Sequence, residues 1–323
     1  MASDPTAASA PGGAPPPPID QPRRRWQCVL SFTAARDRFL RRRFVAAGLR
    51  PFPGRHEHHR PRVGPAAPIA WAPYLRNLLA AGFDPIVPDL LFFGGSSSTV
   101  GDRTDAFQAR TVKAAMDAMG VRRFAVVGVS YGGFVAYRMA AMYPEAVERV
   151  VMVSSGVCIE EDDLAAGLFP VTRIEEAAEL LVPQRPEDVR RLVKLTFVRP
   201  PPVMPSCFLK DYINVLGSDH IQEKTELLRA LIHDRKLSDL PTIGQPTLII
   251  WGEQDQVFPL ELAHRLQRHL GENSRLVVLK NAGHAANLEK SKDVCRNIVE
   301  YLKEQVSNAS TNGGKLNQEV EKP

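Results

Sequence analysis

The chain has 323 residues, of which 44% are hydrophobic and 24% are charged, and its formal net charge is +5. This size and balance exclude a small disulfide scaffold and a largely disordered chain, and they allow an enzyme-sized domain with a buried core. The positive charge does not indicate a nucleic-acid partner, because the excess of arginine lies before Trp71 instead of following a binding groove.

The cysteines and the apolar runs bear on the compartment. Cys28, Cys158, Cys207 and Cys295 are far apart, without a CxxC pair, which is typical of reduced thiols in an intracellular protein. No apolar run approaches the ~20 residues of a membrane-spanning helix. The first twenty residues also lack the apolar core of a secretory signal. We therefore expect an intracellular, cytoplasmic protein.

Residues 1–25 are predicted to be a disordered leader, because they contain the run Pro15 to Pro18 and no apolar periodicity. The leader is poor in acidic residues and ends in Arg23 to Arg25, so plastid targeting is a second interpretation. Both interpretations stay open at this point.

Residues 26–70 are predicted to form a basic amphipathic helix followed by a Pro- and His-rich irregular segment. Apolar residues recur at helical spacing over 31–49, among five arginines. This helix fits either peripheral contact with an anionic membrane or packing on the domain with its arginines in solvent. The five prolines after Arg50 argue against a central strand there. The histidines at 56, 58 and 59 are expected to be solvated and not to hold a metal.

From Trp71 to residue 154 the pattern alternates regularly between helix and strand. Short, continuously apolar strands that alternate with helices are typical of a parallel sheet covered on both faces. The predicted elements are a helix at 71–81, a strand at 85–91, a helix at 104–119, a strand at 124–129, a helix at 134–142 and a strand at 149–153.

Residues 155–246 interrupt this alternation and are predicted to form a helical cap over the sheet. The alternation returns over 247–306, the second part of the core, and 307–323 is predicted to be a flexible tail. The cap helices are predicted at 174–181, 186–195, 209–215 and 221–232. The second part contains predicted strands at 247–251 and 275–279 and helices at 260–270 and 290–306.

The stretch Gly128-Val129-Ser130-Tyr131-Gly132 carries the strongest indication of chemistry, because it lies between a predicted strand and a predicted helix. A serine on such a tight turn projects its hydroxyl above the carboxyl edge of the sheet. The backbone N–H of Tyr131 would then face a tetrahedral oxyanion. Ser130 is therefore the candidate nucleophile.

A serine nucleophile needs an imidazole base and a carboxylate that orients it. Asp255 follows one predicted strand and His284 follows the next, so both are expected at the same sheet edge as Ser130. Glu253 is the competitor of Asp255, but its side chain is expected to point away. The histidines at 220, 233, 264 and 269 do not follow strands and are weaker candidates.

The order Ser130, Asp255, His284, with a cap before the last two, resembles the α/β-hydrolase family over about Trp71 to Lys303. The turn after Pro88-Asp89 is similar to one in that family. The stretch Gly-Val-Ser-Tyr-Gly-Gly and the cap resemble plant monoacylglycerol lipase-like proteins. This resemblance implies serine-dependent hydrolysis of a small ester with an apolar acyl group, without cofactor or metal. Ser130 argues against epoxide hydrolases and haloalkane dehalogenases, which use an aspartate nucleophile.

The sequence departs from the family before Trp71, where no His-Gly dipeptide supplies a second oxyanion donor. The strand that carries it would lie between the strands at 85–91 and 124–129 and is expected to be missing. Residues 27–32 are a possible substitute, but they are interpreted as the approach to the basic helix. A deletion, alternative splicing or a frame error would explain such a loss. The alternatives to an enzyme are therefore a slow or non-catalytic ligand-binding protein and an inactive truncated variant.

Overall fold

The computed structural model describes residues 26–30, 59–60, 67–94, 96–214 and 219–313. The predicted leader at 1–25 and the predicted basic helix at 31–49 lie outside the described residues, as does the end of the tail from residue 314. The leader, the basic helix and its membrane contact therefore stay predictions.

Strands and helices alternate through most of the described chain. The strands are β1 (Trp26–Leu30), β2 (His59–Arg60), β3 (Asp84–Ile86), β4 (Ser97–Ser98), β5 (Phe124–Val129), β6 (Val147–Val153), β7 (Thr247–Gly252) and β8 (Ser274–Leu279). The helices are α1 (Ala67–Ala80), α2 (Asp105–Ala118), α3 (Tyr131–Met142), α4 (Asp162–Ala165), α5 (Ile174–Leu181), α6 (Pro186–Thr196), α7 (Ser206–Tyr212), α8 (Ile221–Ile232), α9 (Leu260–Leu270), α10 (Ala286–Glu289) and α11 (Ser291–Gly313).

Six of these strands form one sheet in the order β3-β1-β5-β6-β7-β8, and every neighbouring pair is parallel. The two-residue strands β2 and β4 pair separately as a short antiparallel ribbon. The predicted fold class, an α/β protein with a parallel sheet between helices, is therefore confirmed.

The strands β5, β6 and β7 are buried on both faces because alternate side chains enter two separate apolar clusters. On β5, Val126 packs with α2, α3 and α9, whereas Val127 packs with α1 and α11. All six residues of β5 are buried. Since neither face needs polar side chains, these strands have the continuous apolar sequences from which they were predicted.

The expectation that the strand beside β5 is missing is wrong. β1 occupies that position and pairs in parallel with β3 on one side and with β5 on the other. The physical reason is the cost of leaving buried strand edges without hydrogen bonds, about 1–3 kcal/mol for each orphaned group. Trp26–Leu30 therefore forms a strand although its sequence is only weakly typical of one, since tertiary context dominates β propensity.

The predicted strand at 85–91 is shorter than expected, because β3 ends at Ile86 and the chain then turns. Leu91 is buried in this turn, and the Gln108 side chain satisfies its backbone with hydrogen bonds of 2.9 and 3.1 Å. Phe92 has φ 71°, which belongs to no strand. The apolar run therefore reflects a buried turn and not an extended segment.

Helices α4 to α8 lie between β6 and β7, where the cap was predicted. Arg265 of α9 holds the beginning of this region through Asp163 at 2.6 Å. At its far end, Arg235 donates to the carbonyl of Val157 at 2.8 Å and packs against the ring of Phe134. Within the described ranges, no helix is both long enough and apolar enough to span a bilayer.

The position of β1 generates a test by proline substitution. Cys28 lies opposite Ile86 on one side and Val126 on the other. Cys28→Pro removes an amide donor inside the sheet, so we expect the free energy of unfolding to fall by about 1–3 kcal/mol or more. Cys28→Ser keeps the donor and is the matched control in urea unfolding. Equal stabilities of the two variants would contradict the central position of β1.

Candidate active site

Ser130 lies at the junction between β5 and α3, with φ 52° and ψ −121°. A positive φ is unfavourable for serine, at a cost of about 1–3 kcal/mol, and persists only where neighbours enforce it. Here the Ser130 amide donates to the Val153 carbonyl of β6 at 2.9 Å, and its carbonyl accepts from the Gly133 amide at 2.9 Å. The strained turn is thus fixed by the sheet on one side and by the first turn of α3 on the other.

The glycines around Ser130 are required by close contacts. A Cβ on Gly128 would lie within 3.0 Å of the carbonyl of Gly132, and one on Gly133 would overlap the side chain of Ser155. Since the first of these neighbours is backbone, it cannot move away easily. Position 128 therefore accepts only glycine, whereas the space at position 133 is limited by the side chain of Ser155.

The three predicted residues Ser130, His284 and Asp255 come together above the carboxyl edge of the sheet. His284 Nε2 lies 2.9 Å from Ser130 Oγ, and His284 Nδ1 lies 2.9 Å from Asp255 Oδ2. The imidazole can therefore accept the serine proton at one nitrogen while the carboxylate stabilises the proton on the other.

Asp255 is held by its own turn after β7. Its side chain is fully buried, and Oδ1 accepts the amides of Val257 at 2.9 Å and Phe258 at 2.8 Å. Oδ2 is thereby left to face His284. Glu253, the competitor, is the first residue after β7, and its side chain is exposed to solvent.

The histidine loop, residues 281–285, follows β8 and packs against the end of β7. The carbonyl of Ala282 accepts the Gln254 amide at 2.9 Å, and Gly252 leaves no room for a Cβ beside the backbone of Gly283. The ring of Phe258 meets the imidazole of His284 edge to face, with centroids 5.4 Å apart. The two loops thus fix each other and orient the imidazole.

His56 and His58 lie outside the described residues, and the other histidines belong to other elements. His264 and His269 belong to α9, and His220 packs against Phe92. His233 lies on the surface with Glu161 and Asp234, the one group of potential metal ligands found among the described residues. Its two ring nitrogens face different carboxylates, at 3.7 and 3.3 Å, and Glu161 already accepts the Asp234 amide. These residues therefore form a set of polar contacts on the surface.

Tyr131 begins α3, so its amide is among the helix N–H groups that lack an intrahelical acceptor. The positive end of the α3 dipole lies at this same N-terminal end of the helix. The Tyr131 side chain turns inward against Phe93, and burial raises the pKa of its phenol well above the usual range. The phenol therefore stays neutral, and only the backbone of Tyr131 is offered to an oxyanion.

Sequence reasoning named residues 27–32 as a possible substitute for the missing strand but interpreted them as the approach to the basic helix, whereas Trp26–Leu30 forms that strand. Leu30, the last residue of β1, lies opposite Gly128, two residues before Ser130. The segment after β1 therefore starts at the same edge as the candidate nucleophile. Residues 31–58, which follow β1, lie outside the described residues. The unpaired strand edges were the signal that could have located β1.

Comparison with known families identifies the class. Residues 64–291 match the family model described as alpha/beta hydrolase fold. The chain belongs to this family. Together with hydrolase-named relatives, this membership identifies the protein as an enzyme of the serine hydrolase type.

The individual relatives are distant. The chain is 28% identical over 250 residues to a 2-hydroxy-6-oxononadienedioate/2-hydroxy-6-oxononatrienedioate hydrolase from Pseudomonas sp., covering 74% of this chain and 84% of the relative. It is 28% identical over 263 residues to a 2-hydroxy-6-oxo-6-phenylhexa-2,4-dienoate hydrolase from Comamonas testosteroni, covering 75% and 85%. These relatives do not bear on the narrower resemblance to monoacylglycerol lipases, which stays a prediction.

Solved structures agree at the level of the fold. A meta-cleavage product hydrolase from Pseudomonas fluorescens IP01 superposes with a TM-score of 0.65 at 19% identity, covering 87% of this chain and 91% of that one. An esterase from Exiguobacterium antarcticum superposes with a TM-score of 0.61 at 18% identity, covering 86% and 92%.

The contact between Gly133 and Ser155 can be tested by a compensating pair. Gly133→Ala is expected to lower the free energy of unfolding by about 1–3 kcal/mol, because the added methyl group overlaps both Cβ and Oγ of Ser155. Ser155→Gly removes both atoms, so the double variant should recover most of this loss in chemical unfolding. A double variant as unstable as the sum of the single variants would show that the overlap is not the cause.

Proposed function

We propose that the protein hydrolyses a carboxylic ester with an apolar acyl group through an acyl-enzyme on Ser130. The observation that carries this proposal is the pair of hydrogen bonds that joins Ser130 Oγ to His284 and His284 to the buried Asp255. A serine hydroxyl is a weak nucleophile at neutral pH, and His284 supplies the base that it needs.

The reaction would proceed in two halves. Ser130 Oγ attacks the ester carbonyl while His284 Nε2 takes its proton, and Asp255 stabilises the resulting imidazolium. The Tyr131 amide and the start of α3 bind the oxyanion. His284 then returns the proton to the leaving alcohol. In the second half, a water molecule replaces the alcohol and releases the acid by the same proton transfers.

Aromatic side chains beside His284 support an apolar acyl group. Phe258 contacts His284, and it also packs against Phe134 at 6.0 Å and against Phe169 of the cap region at 6.5 Å. Aromatic rings are thus in contact from the imidazole to the cap region. A hydrocarbon chain packed on these rings would be removed from water, with a favourable free energy of about 25 cal/mol per Å² of buried apolar area.

The curated relatives favour a second candidate, the hydrolysis of a 2-hydroxy-6-oxo-dienoate. In such a compound a ketone replaces the ester carbonyl, and the leaving group is a carbon that must be protonated. The same serine, histidine and aspartate would serve this reaction. A substrate panel separates the two candidates: 4-nitrophenyl esters of graded acyl length, a monoacylglycerol, and 2-hydroxy-6-oxo-6-phenylhexa-2,4-dienoate. Turnover of the dienoate alone would overturn the ester proposal.

The nucleophile is tested with a fluorophosphonate probe. We expect the folded protein to be labelled on one site and Ser130→Ala to abolish the labelling, as measured by mass spectrometry of the intact protein. Ser154→Ala, which removes a nearby buried hydroxyl, should leave the labelling unchanged. A folded protein that does not react would contradict this function, and labelling without turnover of any substrate would favour the slow or non-catalytic ligand-binding alternative.

The acid is tested by comparing Asp255→Asn with Glu253→Gln. Loss of the Asp255 charge removes the group that holds the tautomer of His284, so turnover should fall by roughly 10⁴-fold. Glu253 is exposed, and its neutralisation should change turnover by less than about twofold. Steady-state kinetics on the preferred ester measures both. The reverse order of effects would transfer the role to Glu253.

A further inference from the structure

The loop that carries His284 is bound to the cap by a carboxylate that the mechanism above does not use. Glu289, the last residue of α10, accepts the Gly283 amide on Oε2 at 2.8 Å. Its other oxygen, Oε1, accepts the amides of Val198 at 2.9 Å and Arg199 at 3.2 Å. One side chain therefore joins the residue before His284 to the segment that follows α6.

The residue after His284 is held from the same place. The Ala285 amide donates to the carbonyl of Thr196, the last residue of α6, at 2.8 Å. The Thr196 carbonyl also lies 2.6 Å from the position that a Cβ on Gly283 would occupy. The histidine loop and the end of α6 are thus in direct backbone contact, with no space between them.

The two backbone amides that flank His284 therefore both depend on the cap. One is fixed by Thr196 directly, and the other is fixed through Glu289. A shift of α6 would move both amides together, whereas Asp255 is held separately by its own turn. The orientation of the imidazole relative to Ser130 is consequently sensitive to where the end of α6 lies.

We propose that Glu289 is a positioning residue that couples the cap to the base: it transmits the position of the α6 end to His284 and so sets the distance between His284 Nε2 and Ser130 Oγ. This inference rests on the function proposed above for its catalytic consequence. The coupling itself consists of hydrogen bonds from backbone amides to Glu289 and can be measured without any substrate.

The catalytic consequence is measured with Glu289→Ala and Glu289→Gln. Alanine removes the acceptors on both sides, and the rate of fluorophosphonate labelling per folded molecule should fall by about 10–100-fold, as for a reacting group displaced by up to 1 Å. Glutamine keeps one acceptor oxygen and should give an intermediate rate. On a turned-over ester, kcat should fall while KM changes little. Glu304→Gln, which breaks an exposed ion pair with Arg275, is the control and should match the unmodified protein.

The coupling is measured by hydrogen exchange in the same variants. Glu289→Ala should accelerate exchange in residues 281–288 and in 193–199 together, while 274–279 of β8 keeps its protection. Acceleration on only one side, or an unchanged labelling rate per folded molecule, would overturn the proposal. If the unmodified protein is not labelled at all, the proposed function fails, and the exchange result alone then decides whether Glu289 couples the two segments.

Discussion

The structure depends on one constraint: β5 is buried on both faces, so its backbone must find hydrogen bonds along both edges. β6 pairs with one edge and β1 with the other. The same pairing extends past the end of the strand, where the Ser130 amide still donates to Val153. The strained conformation of Ser130 is therefore enforced by the sheet itself. Any change that loosens the centre of the sheet is expected to relax the turn that exposes the serine.

The site combines three segments that are fixed by different means. The turn at Ser130 is fixed by strand pairing and by glycine contacts, and Asp255 is fixed by two amides of its own turn. The loop of His284 depends in addition on the cap, through Thr196 and Glu289. Of the three groups, the base is thus the one whose loop is in direct contact with the end of α6.

Much of this arrangement could be predicted from the sequence, because its signals are local. The bounds of β5 follow from a run of six apolar residues, and Asp255 was preferred because the side chain of Glu253 was expected to point away, which agrees with its exposure to solvent. Two features could not be predicted in this way. The run ending at Phe93 is apolar because it is buried in a turn that Gln108 completes, and sequence periodicity does not distinguish that turn from a strand. β1 has only five residues, and its position follows from partners far along the chain.

The distance in sequence between β1 and its partner has a consequence for how the protein folds during synthesis. Trp26 pairs with Phe124, about one hundred residues later. At ribosomal speeds of about 5–20 residues per second, β1 waits roughly 5–20 s before β5 exists. During that interval the edge of β1 that will pair with β5 has no partner and is open to wrong pairings. The pairing of β1 with β5 therefore has to wait for about one hundred further residues, and protection of β1 by a chaperone would matter during that interval.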